Sequence, residues 1–348
     1  MSSNYALYAD MSNRVMNILS EFSPRNEVYS IDECFVDLTG TPKLREVSYA
    51  MRERIGMWTG MPVCVGIGPT KTLAKLANHV AKKHPRSKGV FKYNALTNLQ
   101  KNQLLARIPV QEVWGIGHKL TQKLARHGVH TVYDLLVAHI PTLRSEFGVM
   151  MEKTQRELQE VSCIELQEIQ SDRQQIISSR SFGSMVTELA VLKDALSTFA
   201  ANACTKLRTQ NSHAAVIQVF LQTNRFRKEL PQYMPSLAVP LPFPTNDSLE
   251  VNRWASYLCE RMFKPDYQYK KAGIMLSEIS PVTHRQGDLL EPETTSNTRL
   301  MQAVDNLNLR YGRGTVKVST QGAFKHWQML QDRKSPNYTT SWGEVPLV

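Results

Sequence analysis

Two hydrophobic patterns alternate over residues 1–95 of the chain. Apolar residues at three- and four-residue steps predict amphipathic helices, whereas short runs rich in β-branched and aromatic residues predict strands. The predicted helices cover 5–22, 44–58 and 70–83, and the predicted strands cover 28–31, 35–38, 62–67 and 89–91. Helices that alternate with strands predict an α/β layer in which helices cover a sheet.

The remainder of the chain divides into three further regions by its pattern. Residues 96–170 are almost entirely helical in pattern, with Gly and Pro at the joints. Strand-like and helical runs then predict an α+β unit of βαββαβ type, in which the Pro-rich stretch 231–244 is a loop. After Ser280 the periodicity is lost, which predicts an extended tail.

Composition narrows the class of protein. The 348 residues are 42% hydrophobic, which excludes a disordered chain and predicts two or three domains. No apolar run approaches the roughly 18 residues that a membrane span needs, and the first residues carry no secretory signal. We therefore expect a cytoplasmic, globular protein without a membrane partner. The five cysteines are odd in number and lack a CxxC spacing, so we expect reduced core thiols.

Positive charge is in excess and unevenly distributed. The chain carries 42 Lys and Arg against 31 Asp and Glu, a formal net charge of +11. Residues 68–92 hold seven Lys or Arg and no acid, whereas residues 1–40 hold six acids and two arginines. Further basic stretches lie at 101–126 and 173–228. Several basic surfaces on one chain favour a long polyanion such as nucleic acid, although basic runs also occur as solvated faces.

An acidic pair, Asp32 and Glu33, separates the first two predicted strands. Neighbouring residues on a straight strand point to opposite faces, so the pair serves one site only if the backbone turns there. Adjacent carboxylates beside a basic helix suit a two-metal phosphoryl-transfer site, because they are hard oxygen ligands for Mg²⁺. An ordinary acidic hairpin turn is the alternative.

A second motif, GIGPTKTLAKLANHVAKK at 66–83, predicts a strand, a glycine turn and a helix. Its spacing differs from GxxxxGK[ST], which excludes a P-loop. Lys71, Lys75 and Lys82 lie at steps of four and seven and are expected to share one helix face. Such a basic stripe suits phosphate groups, and a plain solvated face is the alternative.

A third motif, VWGIGHKLTQKL at 113–124, has a Gly-x-Gly sequence at Gly115 and Gly117 between predicted helices. Backbone N–H groups at a helix start bind a phosphate without reading bases. We interpret this motif as a helix-hairpin-helix for the nucleic-acid backbone, with a tight helical turn as the alternative.

Together these motifs resemble the Y-family of lesion-bypass DNA polymerases, with SIDE at 30–33 and VWGIG at 113–117 as two of the matches. Within that family the chain resembles the UmuC-like catalytic subunit of bacterial DNA polymerase V and its plasmid-borne relatives. The similarity runs in order over essentially the whole chain, through YADMSNRVM at 8–16, ISSRSFG at 177–183 and GRGT at 312–315.

The resemblance implies a multidomain α/β and α+β fold. It implies an incomplete Y-family palm at 1–95, a helical thumb with helix-hairpin-helix at 96–171, an α+β little finger at 172–282 and a C-terminal partner-binding tail at 283–348.

The resemblance also implies roles for individual residues. Asp32 and Glu33 are expected to be catalytic and to hold two Mg²⁺ ions. The expected triphosphate-binding residues are Lys82, Lys71 and Lys75, and the expected DNA-backbone contacts are Gly115, Gly117, Lys119, Lys123 and Arg180. Gln286, Leu289 and Leu290 resemble a degenerate sliding-clamp peptide.

The sequence departs from the family pattern at its beginning. Family members start with a strand that carries another metal-binding Asp, followed by the fingers, and Met1 falls where the family is already leaving its fingers. We therefore expect an N-terminally truncated product, a fragment or a start at an internal Met. Asp37 and Asp10 are possible substitute ligands.

The function implied by the resemblance is error-prone lesion-bypass (translesion) DNA synthesis in SOS DNA repair and mutagenesis. It uses template-directed nucleotidyl transfer by a two-metal mechanism. The expected partners are primer–template DNA, including damaged DNA, dNTPs, a UmuD′-like dimer, the RecA filament and the sliding clamp. Two alternatives stay open: a catalytically inactive DNA-binding and partner-binding module, and a nuclease that uses the same carboxylates.

Overall fold

The computed structural model divides into two compact units, each treated separately below. The first unit comprises Met1–Gln170 with Lys334–Val348, and the second comprises Ser171–Arg333. The structure describes residues 2–167, 171–283, 297–312, 314–322, 327–329 and 331–345. Within these ranges, no helix has both the length and the apolar character that crossing a bilayer requires.

The first unit contains short strands among many helices. Its elements are α1 (Tyr5–Ser20), β1 (Asn26–Val28), β2 (Cys34–Val36), α2 (Leu44–Thr59), β3 (Val65–Ile67), α3 (Lys71–Lys83), β4 (Val90–Lys92), α4 (Asn98–Leu105), α5 (His118–Ala125), α6 (Val132–Val137), α7 (Ile140–Phe147) and α8 (Val149–Leu158). The four strands form two separate pairs, β1 with β2 antiparallel and β3 with β4 parallel. The predicted layer of helices and strands is therefore present, but its described strands form two pairs instead of one sheet.

Helix α3 packs closely on β3, and this contact explains the glycines before it. A Cβ built on Gly66 would lie 2.1 Å from the backbone N of Asn78, and one built on Gly68 would lie 2.7 Å from the backbone N of Ala74. No side chain fits in either place, so these glycines permit helix–strand contact. The Gly-rich sequence that precedes α3 thus serves packing.

One apolar core joins α3 to the helices that follow it. Leu73 and Leu76 of α3 are buried together with Val110, Leu124 and Leu135 from the segment after β4. Burying one such leucine contributes about 2 kcal/mol. The shared core holds α3 in a fixed position relative to these later helices.

The second unit is a four-stranded antiparallel sheet with two long helices packed against it. Its elements are β5 (Ile176–Val186), α9 (Leu189–Thr209), β6 (Ser212–Thr223), β7 (Ser236–Thr245), α10 (Ser248–Met262), β8 (Tyr269–Pro281) and α11 (Thr298–Tyr311). The strand order is β5-β8-β6-β7, so the chain follows the predicted βαββαβ order from β5 to β8. The core lies between the sheet and the helices α9 and α10.

The structure corrects two predictions in the second unit. Residues 236–245 form an edge strand and not part of a loop, because a strand at the sheet edge tolerates prolines whose missing N–H groups have no ladder partner. Part of the predicted extended tail forms α11. The segment after α11 also packs, since the Trp327 side chain is buried and donates to the Asp194 carboxylate over 3.1 Å.

Candidate functional site

A turn between β1 and β2 carries the acidic pair. The backbone N–H groups of Tyr29 and Ser30 both donate to the Glu33 carbonyl, at 3.1 Å each, so the chain reverses over residues 29–33. The Ser30 hydroxyl donates to the Asp32 carboxylate over 2.6 Å. Asp32 is exposed and Glu33 is partly buried. The backbone turn that lets both carboxylates serve one site is therefore present, and it shortens the two predicted strands.

The three lysines predicted to share a face of α3 have different surroundings. Lys71 forms a buried ion pair with Glu27 at 2.6 Å, in which the two side chains are only 9% and 8% exposed. Lys75 pairs with Glu33 at 2.9 Å and is about one-fifth exposed. Lys82 is exposed in the last turn of the helix and has no ion pair within the described ranges. The alternative of a plain solvated face is therefore wrong for Lys71, because β1 covers it. The expected triphosphate contacts of the three lysines stay predictions.

Three aromatic rings surround the ammonium groups of Lys71 and Lys75. The Tyr29, Phe35 and Trp114 rings lie with centroids 5.3–5.9 Å apart. The Trp114 indole N–H donates to the Tyr29 hydroxyl over 3.0 Å. Both ammonium groups lie within 6 Å of ring centroids, a distance at which the ring face attracts a cation.

The start of α3 is fixed by a buried carboxylate from α8. Glu157 is fully buried and accepts hydrogen bonds from the backbone N–H groups of Thr72, Cys163 and Ile164 at 2.8–3.1 Å. A carboxylate at a helix N-terminus is favourable because it faces the positive end of the helix dipole. The contact fixes the first turn of α3, one turn before Lys75.

The donor chemistry of the acidic pair suits Mg²⁺, which prefers hard oxygen ligands and keeps part of its shell for water and phosphate. No group of three acidic, histidine or cysteine side chains with the geometry of a metal site occurs within the described ranges. Asp32 and Glu33 are the residues that would hold such an ion.

The two carboxylates considered as substitute ligands are engaged elsewhere. Asp37 pairs with Arg25 at 2.9 Å, and hydrogen bonds from the Thr39 hydroxyl and amide hold the pKa of Asp37 below its usual value. Asp10 pairs with Arg14 at 2.8 Å, and the hydrogen bond from that arginine lowers the pKa of Asp10. Neither belongs to a group with the acidic pair.

The Gly-x-Gly turn has the geometry of an exposed phosphate-binding loop. Gly115 has a φ of +86°, which only glycine adopts without strain, and Gly117 is the N-cap of α5 without a side-chain cap. The first N–H groups of α5 are therefore left for water or an anion. Lys119 and Lys123 are exposed and four residues apart on the same helix. This arrangement brings four of the predicted DNA-contact residues together.

The remaining predicted site residues belong to the second unit or are not described by the structure. Arg180 is exposed on β5, an edge strand of the second unit. The predicted clamp-binding residues Gln286, Leu289 and Leu290 lie outside the described residues.

Sequence reasoning missed three residues that shape the site: Glu27, Trp114 and Glu157. Glu27 contacts Lys71 across 44 positions and Glu157 contacts Thr72 across 85, so no local spacing reveals either pair. Trp114 lies within the VWGIG motif, and its position directly before Gly115 was the only sequence feature that pointed to a role in the site.

Comparisons with known families agree along the chain. The model of the impB/mucB/samB family matches residues 1–79, and the C-terminal domain of that family matches 173–289. The family's helix-hairpin-helix motif matches 101–129, and a domain of unknown function matches 298–348.

Individual relatives cover nearly all of the chain. It is 40% identical to the protein UmuC of Salmonella typhimurium over 99% of this chain and 82% of that protein. It is 38% identical to the protein MucB of Escherichia coli over the same shares of both chains. A DNA polymerase IV of Moorella thermoacetica is 27% identical over 91% of this chain and 78% of that protein.

A solved structure shows the fold. A Y-family DNA polymerase chimera of Dbh and Dpo4 matches with a TM-score of 0.59 and 19% identity, over 80% of this chain and 78% of that one.

Proposed function

Because the chain belongs to the impB/mucB/samB family and has the fold of Y-family DNA polymerases, we propose that it is an error-prone translesion DNA polymerase subunit. Its reaction is template-directed nucleotidyl transfer, and its role is SOS DNA repair and mutagenesis. The observation that carries the proposal is the acidic pair Asp32 and Glu33 on a hairpin turn, where Glu33 is ion-paired to Lys75 of α3. This is a carboxylate site beside a basic helix, as metal-dependent phosphoryl transfer requires.

Asp32 and Glu33 are the residues that would hold Mg²⁺. Two bound ions would neutralise charge on the triphosphate and activate the primer 3′-hydroxyl for in-line attack on the α-phosphate. The chain's own work is positioning: the turn fixes the two carboxylates, and Lys82 presents an exposed cation near the end of α3 for the triphosphate. Lys75 binds the Oε2 oxygen of Glu33, which leaves the other carboxylate oxygen for a cation.

The helix-hairpin-helix would hold the DNA backbone. The uncapped start of α5 offers N–H groups to one phosphate, while Lys119 and Lys123 add positive charge beside it. Arg180 supplies a further phosphate contact from the second unit. These contacts do not read bases, so damaged and undamaged duplexes bind alike through them.

We also propose three protein partners on family grounds: a UmuD′-like dimer, the RecA filament and the sliding clamp. The match to UmuC, ImpB and MucB relatives over 99% of this chain supports them. The clamp contact falls to Gln286, Leu289 and Leu290.

A second candidate function has one observation in its favour. Within the described ranges the acidic pair has no third metal-binding group beside it, which favours a DNA-binding and partner-binding module without catalysis. Losing one ligand of a two-metal site is severe, because catalysis there is mostly positioning and charge neutralisation.

A primer-extension assay separates the candidates. The chain is incubated with a labelled primer–template containing an abasic site, with all four dNTPs and either MgCl₂ or EDTA. Magnesium-dependent lengthening of the primer supports the polymerase. Unchanged primer that is nevertheless bound by the protein supports the module, and shortened primer supports the nuclease.

A further inference from the structure

Trp114 stands between the phosphate-binding turn and the acidic pair. It directly precedes Gly115, the glycine whose positive φ opens the turn. Its indole N–H donates to the Tyr29 hydroxyl over 3.0 Å, and the two rings are perpendicular with centroids 5.3 Å apart. Trp114 is thus covalently joined to the Gly115–Gly117 turn, and its side chain contacts the hairpin that carries the acidic pair.

Two routes lead from Trp114 to Glu33. In the first, the Lys75 ammonium lies 5.3 Å from the Trp114 ring centroid and 2.9 Å from the Glu33 carboxylate. In the second, Trp114 holds the Tyr29 hydroxyl, and the Tyr29 backbone N–H donates to the Glu33 carbonyl over 3.1 Å. The indole therefore acts on Glu33 indirectly: Lys75 binds the Glu33 side chain, and Tyr29 binds its main chain.

The Trp114 ring also lies close to Lys71 and Phe35. The Lys71 ammonium lies 5.5 Å from its centroid and forms the buried pair with Glu27. Phe35 packs against the ring with centroids 5.5 Å apart. Lys71 is fixed by a buried carboxylate, so the indole cannot shift toward it. A shift in another direction would move Lys75 or Tyr29 as well.

We propose that Trp114 is a positioning residue that couples DNA-backbone binding at the Gly115–Gly117 turn to the placement of the Glu33 carboxylate. The proposal rests on the proposed function, because it assigns DNA to the turn and Mg²⁺ to the acidic pair. A phosphate bound at the turn fixes the backbone next to Trp114, and any shift of the indole moves Lys75 or Tyr29 with it. Lys75 and Tyr29 then hold Glu33 where it faces the metal. By linkage, Mg²⁺ at the acidic pair tightens DNA binding by the same factor.

The test measures this coupling without catalysis. The dissociation constant of a fluorescein-labelled primer–template duplex is measured by anisotropy in EDTA and in MgCl₂, at equal ionic strength and without nucleotides. Mg²⁺ also screens phosphates in every variant, so the coupling is the change relative to Glu33→Gln, which lacks the metal-binding carboxylate. We expect a coupling of about fivefold or more in the unaltered chain.

Substitutions of Trp114 then decide the proposal. In Trp114→Leu we expect the coupling to disappear, while the affinity in EDTA changes by less than about twofold, because the phosphate contacts are backbone N–H groups and lysines. Trp114→Phe retains a ring face and should recover part of the coupling. Trp58→Leu is the matched control, since Trp58 is 61% exposed on α2, where the Arg54 guanidinium lies over its ring.

The opposing outcomes are distinct. The proposal is overturned when Trp114→Leu couples as the unaltered chain does, or when it loses DNA affinity equally in EDTA and MgCl₂. Should Trp114→Leu not fold, Tyr29→Phe removes only the hydrogen bond, and an undiminished coupling there overturns the proposal as well. Identical responses of Glu33→Gln and the unaltered chain to MgCl₂ overturn the coupling. Failure of the proposed function looks different, because the unaltered chain would then not extend a primer with MgCl₂ and dNTPs.

Discussion

Lys75 donates to Glu33 over 2.9 Å while its ammonium lies 4.6 Å from the centroid of the Tyr29 ring. Tyr29 and Glu33 belong to the same hairpin turn, so a single lysine from α3 holds both ends of that turn. The acidic pair is therefore not a free loop tip. Its position depends on α3, and α3 is in turn fixed by the buried core that it shares with later helices.

The buried pair of Lys71 and Glu27 predicts a large effect on stability. Lys71→Met leaves the Glu27 carboxylate buried without its cation, which should lower the free energy of unfolding by about 3 kcal/mol. Urea unfolding followed by circular dichroism measures the change.

Lys43→Met is the matched control for that substitution. Lys43 pairs with Glu46 at 3.5 Å, and both side chains are more than two-thirds exposed. A surface pair of this kind contributes at most about 1 kcal/mol. Equal effects of the two substitutions would contradict the burial of Lys71.

The two glycines of the Gly-x-Gly turn should respond differently to alanine. Gly115 has a φ of +86°, so Gly115→Ala should cost about 1–2 kcal/mol of stability. Gly117 has a φ of −90°, and a Cβ there meets no atom within 4 Å, so Gly117→Ala should leave the fold intact. Thermal unfolding of both variants measures this difference. A destabilised Gly117→Ala beside an unaffected Gly115→Ala would contradict the turn geometry.

Lys119 and Lys123 should account for part of the salt dependence of DNA binding. Each lysine that neutralises a duplex phosphate contributes about 0.9 to the slope of log affinity against log salt concentration. Lys119→Ala and Lys123→Ala should each reduce the slope by about that amount. Lys43→Ala, on the exposed start of α2, should not change it. Slopes that stay equal in all three variants would remove the two lysines from the DNA interface.

Cys34, next to the acidic pair, should react slowly with alkylating reagents. Burial raises the pKa of Cys34 to about 11, so the thiol stays protonated at pH 8 and its reactive thiolate form becomes common only as the pH approaches that value. Alkylation by iodoacetamide at pH 8 should therefore be at least about 100-fold slower than for the unfolded chain in urea. Peptide mass spectrometry measures both rates. Comparable rates would contradict the burial of this thiol.

The fold was predictable where local pattern decides it. The βαββαβ order of the second unit follows from periodicity, and the structure confirms it. The pattern failed at β7, where Pro240 and its neighbours suggested a loop, because only the edge position of the strand makes prolines acceptable there. It also failed at α11, whose apolar positions stand within a segment poor in other signals. Both errors arise because tertiary position overrides local preference.

The residue types of the candidate site were predictable from the sequence, but the long-range contacts between them were not. Asp32 and Glu33, the α3 lysines and the Gly-x-Gly turn are all visible in the sequence, and the structure brings the first two groups together through Lys75. The burial of Lys71 against Glu27 was not visible, since the spacing of residues on a helix does not show which strand covers its face. Long-range pairs of this kind depend on the fold and leave no local spacing behind.

The most direct test of the central claim compares the acidic pair with a carboxylate outside it. Asp32→Asn and Glu33→Gln remove one charge each without changing shape, and Asp10→Asn does the same at an exposed ion pair on α1. Primer extension with MgCl₂ and dNTPs and DNA affinity in EDTA are measured for all three. We expect extension to fall by at least about 100-fold in the first two variants and to persist in Asp10→Asn, with DNA affinity retained throughout. Full extension in both Asp32→Asn and Glu33→Gln would contradict the account.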